Sequence, residues 1–234
     1  GKTFLATCFA GDVGIPAVVL KNFRSMWQGQ TEANLQRVLA LLQAMSPILV
    51  IVDEADAQLG DRASSGDSGV GGRVFAQIAQ FMGNTENRGK VIWFLLTCRP
   101  DLLPVDLKRQ GRAEEHLALF YPDTDEDRLS MLRAMMKKTG ISLATPEVEK
   151  LFLEKAGTMS GADIEAILVR ASMKSALEKE AAVDAADLTH VLEDFIPPSY
   201  PAEIEMQTLI AVSECTRRSL LPEKYRQMPR EELS

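Results

Sequence analysis

Gly1-Lys2-Thr3 opens the chain, and these residue types suit phosphate. They match the close of the pattern G-x-x-x-x-G-K-[ST], in which loop amides cradle an anion, the lysine reaches the β/γ oxygens and the hydroxyl meets magnesium. Alone, the tripeptide is a weak match. A second group, Asp53-Glu54, directly follows the apolar run Ile48 to Val52. In a parallel sheet, ligands bind outside the carboxyl ends of the strands. Asp53 there is suited to hold magnesium through water, and Glu54 to position and polarise an attacking water. By itself the pair also fits a polar loop after a buried strand. Since both groups approach the same sheet edge, they together predict an ATP site, with Gly1, Lys2 and Thr3 on the nucleotide and Thr3 and Asp53 on Mg2+. We read the sequence as beginning inside the phosphate-loop pattern. The loop's remaining amides are then lacking, and the stretch alone is expected to bind ATP weakly.

Such residues need a scaffold, and the periodicities describe one. Phe4 to Ala10 continues a helix opened by the loop, and Ala17-Val18-Val19-Leu20 reads as a short buried strand from its β-branched content. From Thr31, the residues Leu35, Val38, Leu39, Leu42 and Met45 form one helical face that Ser46-Pro47 ends. Ile48 to Val52 is too short for a helix and apolar on both faces, as a central parallel strand is, and Val91 to Leu96 repeats that character. Alternating strands and helices predict a parallel sheet covered on both sides. Residues 63 to 72 are small and glycine-rich, which predicts a surface loop. After Tyr121-Pro122 helical spacing dominates, with Leu129, Leu132, Met135 and Met136 on one face and Gly140 as a stop. Thr145-Pro146 starts a helix. Ser160 caps another carrying Ile164, Ile167, Leu168 and Ala171, and Asp184 caps a further one. The expected organisation is an α/β nucleotide-binding subdomain over 1–122, a helical lid over 123–199 and a helical tail over 200–234.

Composition bounds the alternatives. A chain of 234 residues, 46% hydrophobic and 25% charged, can bury roughly 70% of its unfolded surface without disulfides or metals. Cys8, Cys98 and Cys215 are an odd number without CxxC spacing, and with His116 and His190 they complete no usual zinc set. We expect a reducing, cytoplasmic setting. The apolar runs fall far short of the roughly 20 residues a membrane helix needs, so no membrane span is expected. A net charge of −7 argues against nucleic acid as the main partner.

Six elements occur in order: Gly1-Lys2-Thr3, residues 26–32, residues 49–54, Thr97-Cys98-Arg99-Pro100-Asp101, Arg109-Gln110-Gly111-Arg112, and Ser160-Gly161-Ala162-Asp163-Ile164. This order, over about positions 1–199, resembles the AAA ATPases, and most of all rings of the segregase and unfoldase type. The resemblance implies a P-loop NTPase fold, α/β with a parallel sheet, followed by an all-α lid. Lys2 and Thr3 then close Walker A, and Asp53 and Glu54 are Walker B. Residues 97–101 are similar to the family's sensor-1 stretch, except that Cys98 stands where Asn is usual. A thiol bonds weakly, so Cys98 cannot replace an amide bridging water and the γ-phosphate. Hydrolysis is expected to be slow, with Thr97 a partial substitute.

By the same resemblance Arg109 and Arg112 are arginine fingers reaching a neighbouring subunit's nucleotide, a role that suits a permanently charged, forked guanidinium. They also fit a solvated basic turn. Fingers in trans imply a head-to-tail ring, which the family sets at six members. Trp27 and Gly29 resemble a first pore loop that grips polypeptide, with Gln28 in place of a hydrophobic residue; Trp27 also suits an ordinary core position. Arg73 resembles a second pore-loop position and equally fits an exposed arginine. Gly161 and Ala162 resemble the lid residues that pack near adenine and ribose, and the same stretch reads as a capped helix start. His116 and His190 read as structural or solvated. Asp53-Glu54-Ala55-Asp56 spells the DEAD string of RNA helicases, but it lies too close to Gly1-Lys2-Thr3 and no Ser-Ala-Thr follows.

The implied function is an ATP-dependent hexameric motor that remodels or threads a polypeptide delivered directly or by an adaptor. The alternative is a module that binds nucleotide and hydrolyses little, serving as an assembly scaffold or regulator. Cys98 and Gln28 favour the alternative. Glu54 and both arginines favour the motor, because a subunit that never hydrolyses has no use for Glu54.

Overall fold

The computed structural model describes residues 1–21, 31–60, 70–157, 159–177, 182–196, 200–229 and 231. In chain order these form helix α1 (Lys2–Val13), strand β1 (Ala17–Leu20), α2 (Thr31–Ala44), β2 (Ile48–Val52), α3 (Ala55–Leu59), α4 (Val70–Gly83), β3 (Val91–Leu95) and α5 (Val105–Lys108). Then follow α6 (Asp125–Thr139), α7 (Pro146–Lys155), α8 (Gly161–Leu177), α9 (Ala185–Asp194), α10 (Pro201–Glu214) and α11 (Glu223–Arg226). The chain divides into two compact units, Gly1–Leu119 with Ala202–Ser234, and Phe120–Pro201.

In the first unit β1, β2 and β3 lie side by side in that order, all parallel. Every residue of β2 is buried, because successive side chains point to opposite faces and both faces are covered. Ile48, Val50 and Val52 pack with Leu35, Leu39 and Leu42 of α2 and Val74, Ile78 and Met82 of α4. Leu49 and Ile51 meet Ala6 and Ala10 of α1. The small alanines let α1 approach closely, which sets where its first turn reaches.

Several expectations change here. The strand at 17–20 exists but is not buried: Ala17 and Val19 are exposed, and among the described residues it pairs only with β2. In β3 only Val91 is fully buried, since it is the other outer strand of the described sheet. Met45 lies beyond the end of α2 and is 42% exposed instead of sharing the buried face. Val70, Gly71 and Gly72 belong to the first turn of α4, and the rest of the expected glycine-rich loop, 63–69, lies outside the described residues.

The second unit is helical and capped where side chains supply the partners. Thr124 accepts from the Asp127 amide, and Gly140 ends α6 in the left-handed region at φ 71°. Ser160 and Asp163 exchange bonds, amide to side chain in each direction, at 2.8 and 3.2 Å, a reciprocal cap. Leu132, Phe152, Ile164, Ile167, Leu168, Ala171 and Leu188 form the core. The buried Asp187 beside it accepts from Ser175 and pairs with Lys174 at 3.1 Å. The Ser175 hydrogen bond holds its carboxyl below the usual carboxylate range. No helix among the described residues is long and apolar enough to cross a membrane.

Candidate active site

Val52 stands opposite Leu95 in the β2–β3 pairing, so the residues that follow both strands emerge at one edge. The sheet-like bonding continues there: Leu96 N–H donates to the Val52 carbonyl and Ala55 N–H to the Leu96 carbonyl, each at 2.9 Å. α1 packs on the opposite face to α2 and brings its first turn to this edge. Thr3 Oγ1 donates to Asp53 Oδ2 at 2.8 Å, and Lys2 Nζ donates to Cys98 Sγ at 3.1 Å. Four residues chosen from distant parts of the sequence therefore meet in one cluster. Asp53 is oriented further by its own backbone, since its carbonyl accepts from Gln58 Nε2 at 2.6 Å and its Oδ1 from the Glu54 amide at 3.0 Å.

Glu54 is exposed and adopts φ 49°, ψ 47°. That left-handed conformation costs a non-glycine residue about 1–2 kcal/mol. It turns the chain from β2 into α3, whose end is equally constrained: a Cβ on Gly60 would lie 2.1 Å from the Asp56 carbonyl oxygen.

The 97–101 stretch is tied to α3. Thr97 Oγ1 donates to Asp56 Oδ1 at 2.6 Å and accepts from the Arg99 amide at 2.8 Å. Its proton is thus given to Asp56, so Thr97 fastens the stretch and does not stand in for an amide facing water. The Arg99 guanidinium forks onto Asp101 at 3.0 and 2.8 Å and holds that carboxyl below its usual range. Cys98 is exposed and faces Lys2.

The two arginines differ. Arg109 is 68% exposed and pairs with Asp106 at 3.3 Å. Arg112 donates to the Asp106 carbonyl at 2.5 Å and lies against Gly83, so its guanidinium is engaged within its own subunit. Gly111 between them has φ +85°, a conformation that strains any residue carrying a Cβ, with the tip of the Arg88 side chain over it.

Other expected residues lie elsewhere. Gly161 begins α8 in the helical unit against Met131 and Met135, and Ala162 beside it is exposed. Arg73 is exposed on α4. Trp27 and Gly29 lie outside the described residues. His190 is exposed, whereas His116 is held on both ring nitrogens, Nδ1 at 2.8 Å from the Glu214 carbonyl and Nε2 at 2.9 Å from that of Ala113. The sequence reading passed over Asp56 and Gln58. Asp56 was visible only as part of a helicase-like string, and its position in the first turn of α3 was the clue to its use.

The donor set fits Mg2+ and ATP. A hydroxyl and a carboxylate, 2.8 Å apart, are hard oxygen ligands, and magnesium takes one or two such protein groups with phosphate oxygens and waters for the rest. Among the described residues no three His, Cys, Asp or Glu gather into a metal cage, which such a cation does not need. The first-turn amides of α1 and the Lys2 ammonium suit an anion.

Comparison with known proteins agrees with this geometry. The model of the family described as "ATPase family associated with various cellular activities (AAA)" matches residues 1–121. The chain is 31% identical over 193 residues to the peroxisomal ATPase PEX6 of Penicillium chrysogenum, covering 79% of this chain and 13% of that protein. It is 29% identical over 195 residues to the cell division cycle protein 48 homolog of Archaeoglobus fulgidus, covering 80% of this chain and 26% of that one. It is also 29% identical over 204 residues to protein mac-1 of Caenorhabditis elegans, covering 82% and 25%. The chain therefore spans 13–26% of the length of these three relatives. An ammonium, a hydroxyl and a carboxylate gathered at the carboxyl edge of a parallel sheet, together with the match over 1–121, lead to one assignment: the chain belongs to the AAA family of ATPases.

Proposed function

We propose that this chain is the ATP-hydrolysing module of a ring-forming motor that remodels or threads polypeptides. The observation that carries the reading is the meeting of Lys2, Thr3 and Asp53 at one sheet edge, with Thr3 Oγ1 2.8 Å from Asp53 Oδ2. In this reading Lys2 exchanges its Cys98 contact for β/γ-phosphate oxygens, Thr3 and Asp53 supply the protein oxygens for Mg2+, and Glu54 accepts a proton from the attacking water. Bound Mg2+ supplies charge neutralisation at the phosphoryl oxygens. Arg109, exposed and paired with Asp106 among the described residues, would reach a neighbour's γ-phosphate, and Arg112 would give up its bond to the Asp106 carbonyl to join it. Gly161 and Ala162 would line the adenine and ribose, and Trp27, Gly29 and Arg73 the pore. Six subunits, a polypeptide or adaptor partner and a reducing cytoplasm complete the proposal.

The test compares ATP turnover by the full-length protein with that of its Glu54→Gln variant. Turnover is expected to fall about 10²–10⁴-fold while ATP binding is retained, and parent turnover is expected to rise cooperatively with protein concentration as rings assemble. Equal turnover in the two proteins removes Glu54 from its role. One observation favours a second reading: the group facing Lys2 from the 97–101 stretch is a thiol, a weak partner for water. ATP binding without measurable parent turnover would identify a nucleotide-held scaffold.

A further inference from the structure

The turn carrying Arg109 and Arg112 is short, glycine-containing and exposed at Arg109; inside it Arg112 N–H donates to the Arg109 carbonyl at 3.1 Å and Gly111 N–H to Glu114 Oε2 at 2.6 Å, and its two stems are held from further away. Both of its ends lead to one residue, Glu214, about a hundred positions away in sequence. At the entry, Lys108 Nζ donates to Glu214 Oε1, the two side chains being 16% and 23% exposed, and also reaches the Pro100 carbonyl of the 97–101 stretch at 3.3 Å. At the exit, Ala113 N–H returns to the Leu107 carbonyl at 3.0 Å, closing the turn. The Ala113 carbonyl then meets His116 Nε2, whose Nδ1 meets the Glu214 backbone carbonyl. Glu214 Oε2 also stands 3.5 Å from that ring. Alongside, Thr216 and His116 exchange backbone and side-chain bonds, and Arg217 forks onto Glu115 at 2.6 and 2.7 Å.

Glu214 is the last residue of α10, whose last turn contains no basic residue. A carboxylate there opposes the helix dipole, so helix stability does not account for it. Its cationic neighbour Lys108 does.

We propose that Glu214 is a positioning residue for the arginine turn: side chain on Lys108 and backbone carbonyl on His116, it clamps both stems and joins them to the 97–101 stretch. The proposal rests on the reading of Arg109 and Arg112 as inter-subunit fingers. Through this clamp the segment after α10's start acts on hydrolysis without touching nucleotide. Displacing a group by about 1 Å can cost up to a hundredfold in rate, and among the described residues the exposed Arg109 has only Asp106 to restrain it otherwise.

The test measures kcat and KM for ATP in the full-length protein bearing Glu214→Ala, in the parent background and in the Arg109→Ala, Arg112→Ala background, with ring size checked by light scattering. Glu214→Ala is expected to lower kcat about 10–100-fold with KM within about twofold, and to add no further loss when both arginines are already removed. Glu214→Gln, which keeps an acceptor for Lys108 and the backbone carbonyl, is expected to lose less; it makes the same comparison if the alanine variant does not fold. An unchanged kcat, a rise in KM alone, or an equal loss in both backgrounds overturns the clamp. If the double arginine variant itself keeps full turnover, the finger reading fails first. If that variant is crippled and Glu214→Ala is not, only the clamp fails.

Discussion

Asp56→Ala tests how the 97–101 stretch is held. Asp56 Oδ1 accepts the only proton of Thr97 Oγ1 at 2.6 Å, and that hydroxyl accepts from the Arg99 amide at 2.8 Å. A hydrogen bond to a charged group contributes about 1.5–3 kcal/mol when well shielded. Both side chains here are half-buried, and water can replace the lost acceptor, which brings the expected cost to about 1–2 kcal/mol. For a unit of this size each kcal/mol moves Tm by about 2–4 °C, so melting followed by circular dichroism should drop by about 2–8 °C. The effect on rate is expected to exceed the effect on stability. Cys98 sits directly between Thr97, which loses its anchor, and Arg99, whose amide is bonded to Thr97 Oγ1, and a 1 Å shift costs up to about a hundredfold. Steady-state ATP turnover by the full-length protein is the assay. Asp56→Asn keeps a neutral acceptor and should lose about half as much stability. A lowered Tm with turnover within about twofold of the parent would refute the link between this bond and hydrolysis; neither effect would mean that the bond does not hold the stretch.

Two further predictions follow the same logic. Cys98→Asn restores an amide opposite Lys2 and should raise turnover, by up to about a hundredfold if a missing donor limits the rate; unchanged or slower hydrolysis would show that water is positioned by another group. In the helical unit the Ser175 hydrogen bond lowers the pKa of Asp187 on folding, so as pH falls the unfolded chain binds that proton first. Its stabilisation is complete well above the unfolded carboxyl's value of about 3.9 and is lost as pH drops through the folded value. Asp187→Asn should cost about 1–3 kcal/mol at pH 7, with Lys174 at 34% exposure free to rehydrate, and the gap to the parent should narrow below about pH 4; a gap independent of pH refutes the linkage.

What was legible in the sequence was local. The run Ile48 to Val52 lacks polar residues, and only a strand covered on both faces accommodates that. Ser160 and Asp184 each stand where a first-turn amide needs an acceptor, and each supplies one; the Thr124 cap of α6 emerged only in the structure. Gly1-Lys2-Thr3 and Asp53-Glu54 pointed to phosphate chemistry because their backbone contexts, a helix start and a strand end, lie within a few residues of them.

The tertiary structure decided everything that depends on neighbours far away in the chain. Apolar and β-branched content, as in Val18 and Val19, placed residues 17–20 and 91–96 inside, whereas the burial of a strand depends on what flanks it, and both are outer strands of the described sheet. Thr97 was legible as a polar residue near the site, but its commitment to Asp56 follows from the parallel register that sets α3 beside the end of β3. The clamp on the arginine turn joins Lys108 and His116 to Glu214. Composition and periodicity record which residues prefer burial or a helix; they hold no term for which distant side chain arrives as partner, because that is set by where the fold brings α1, the sheet edge and the end of α10.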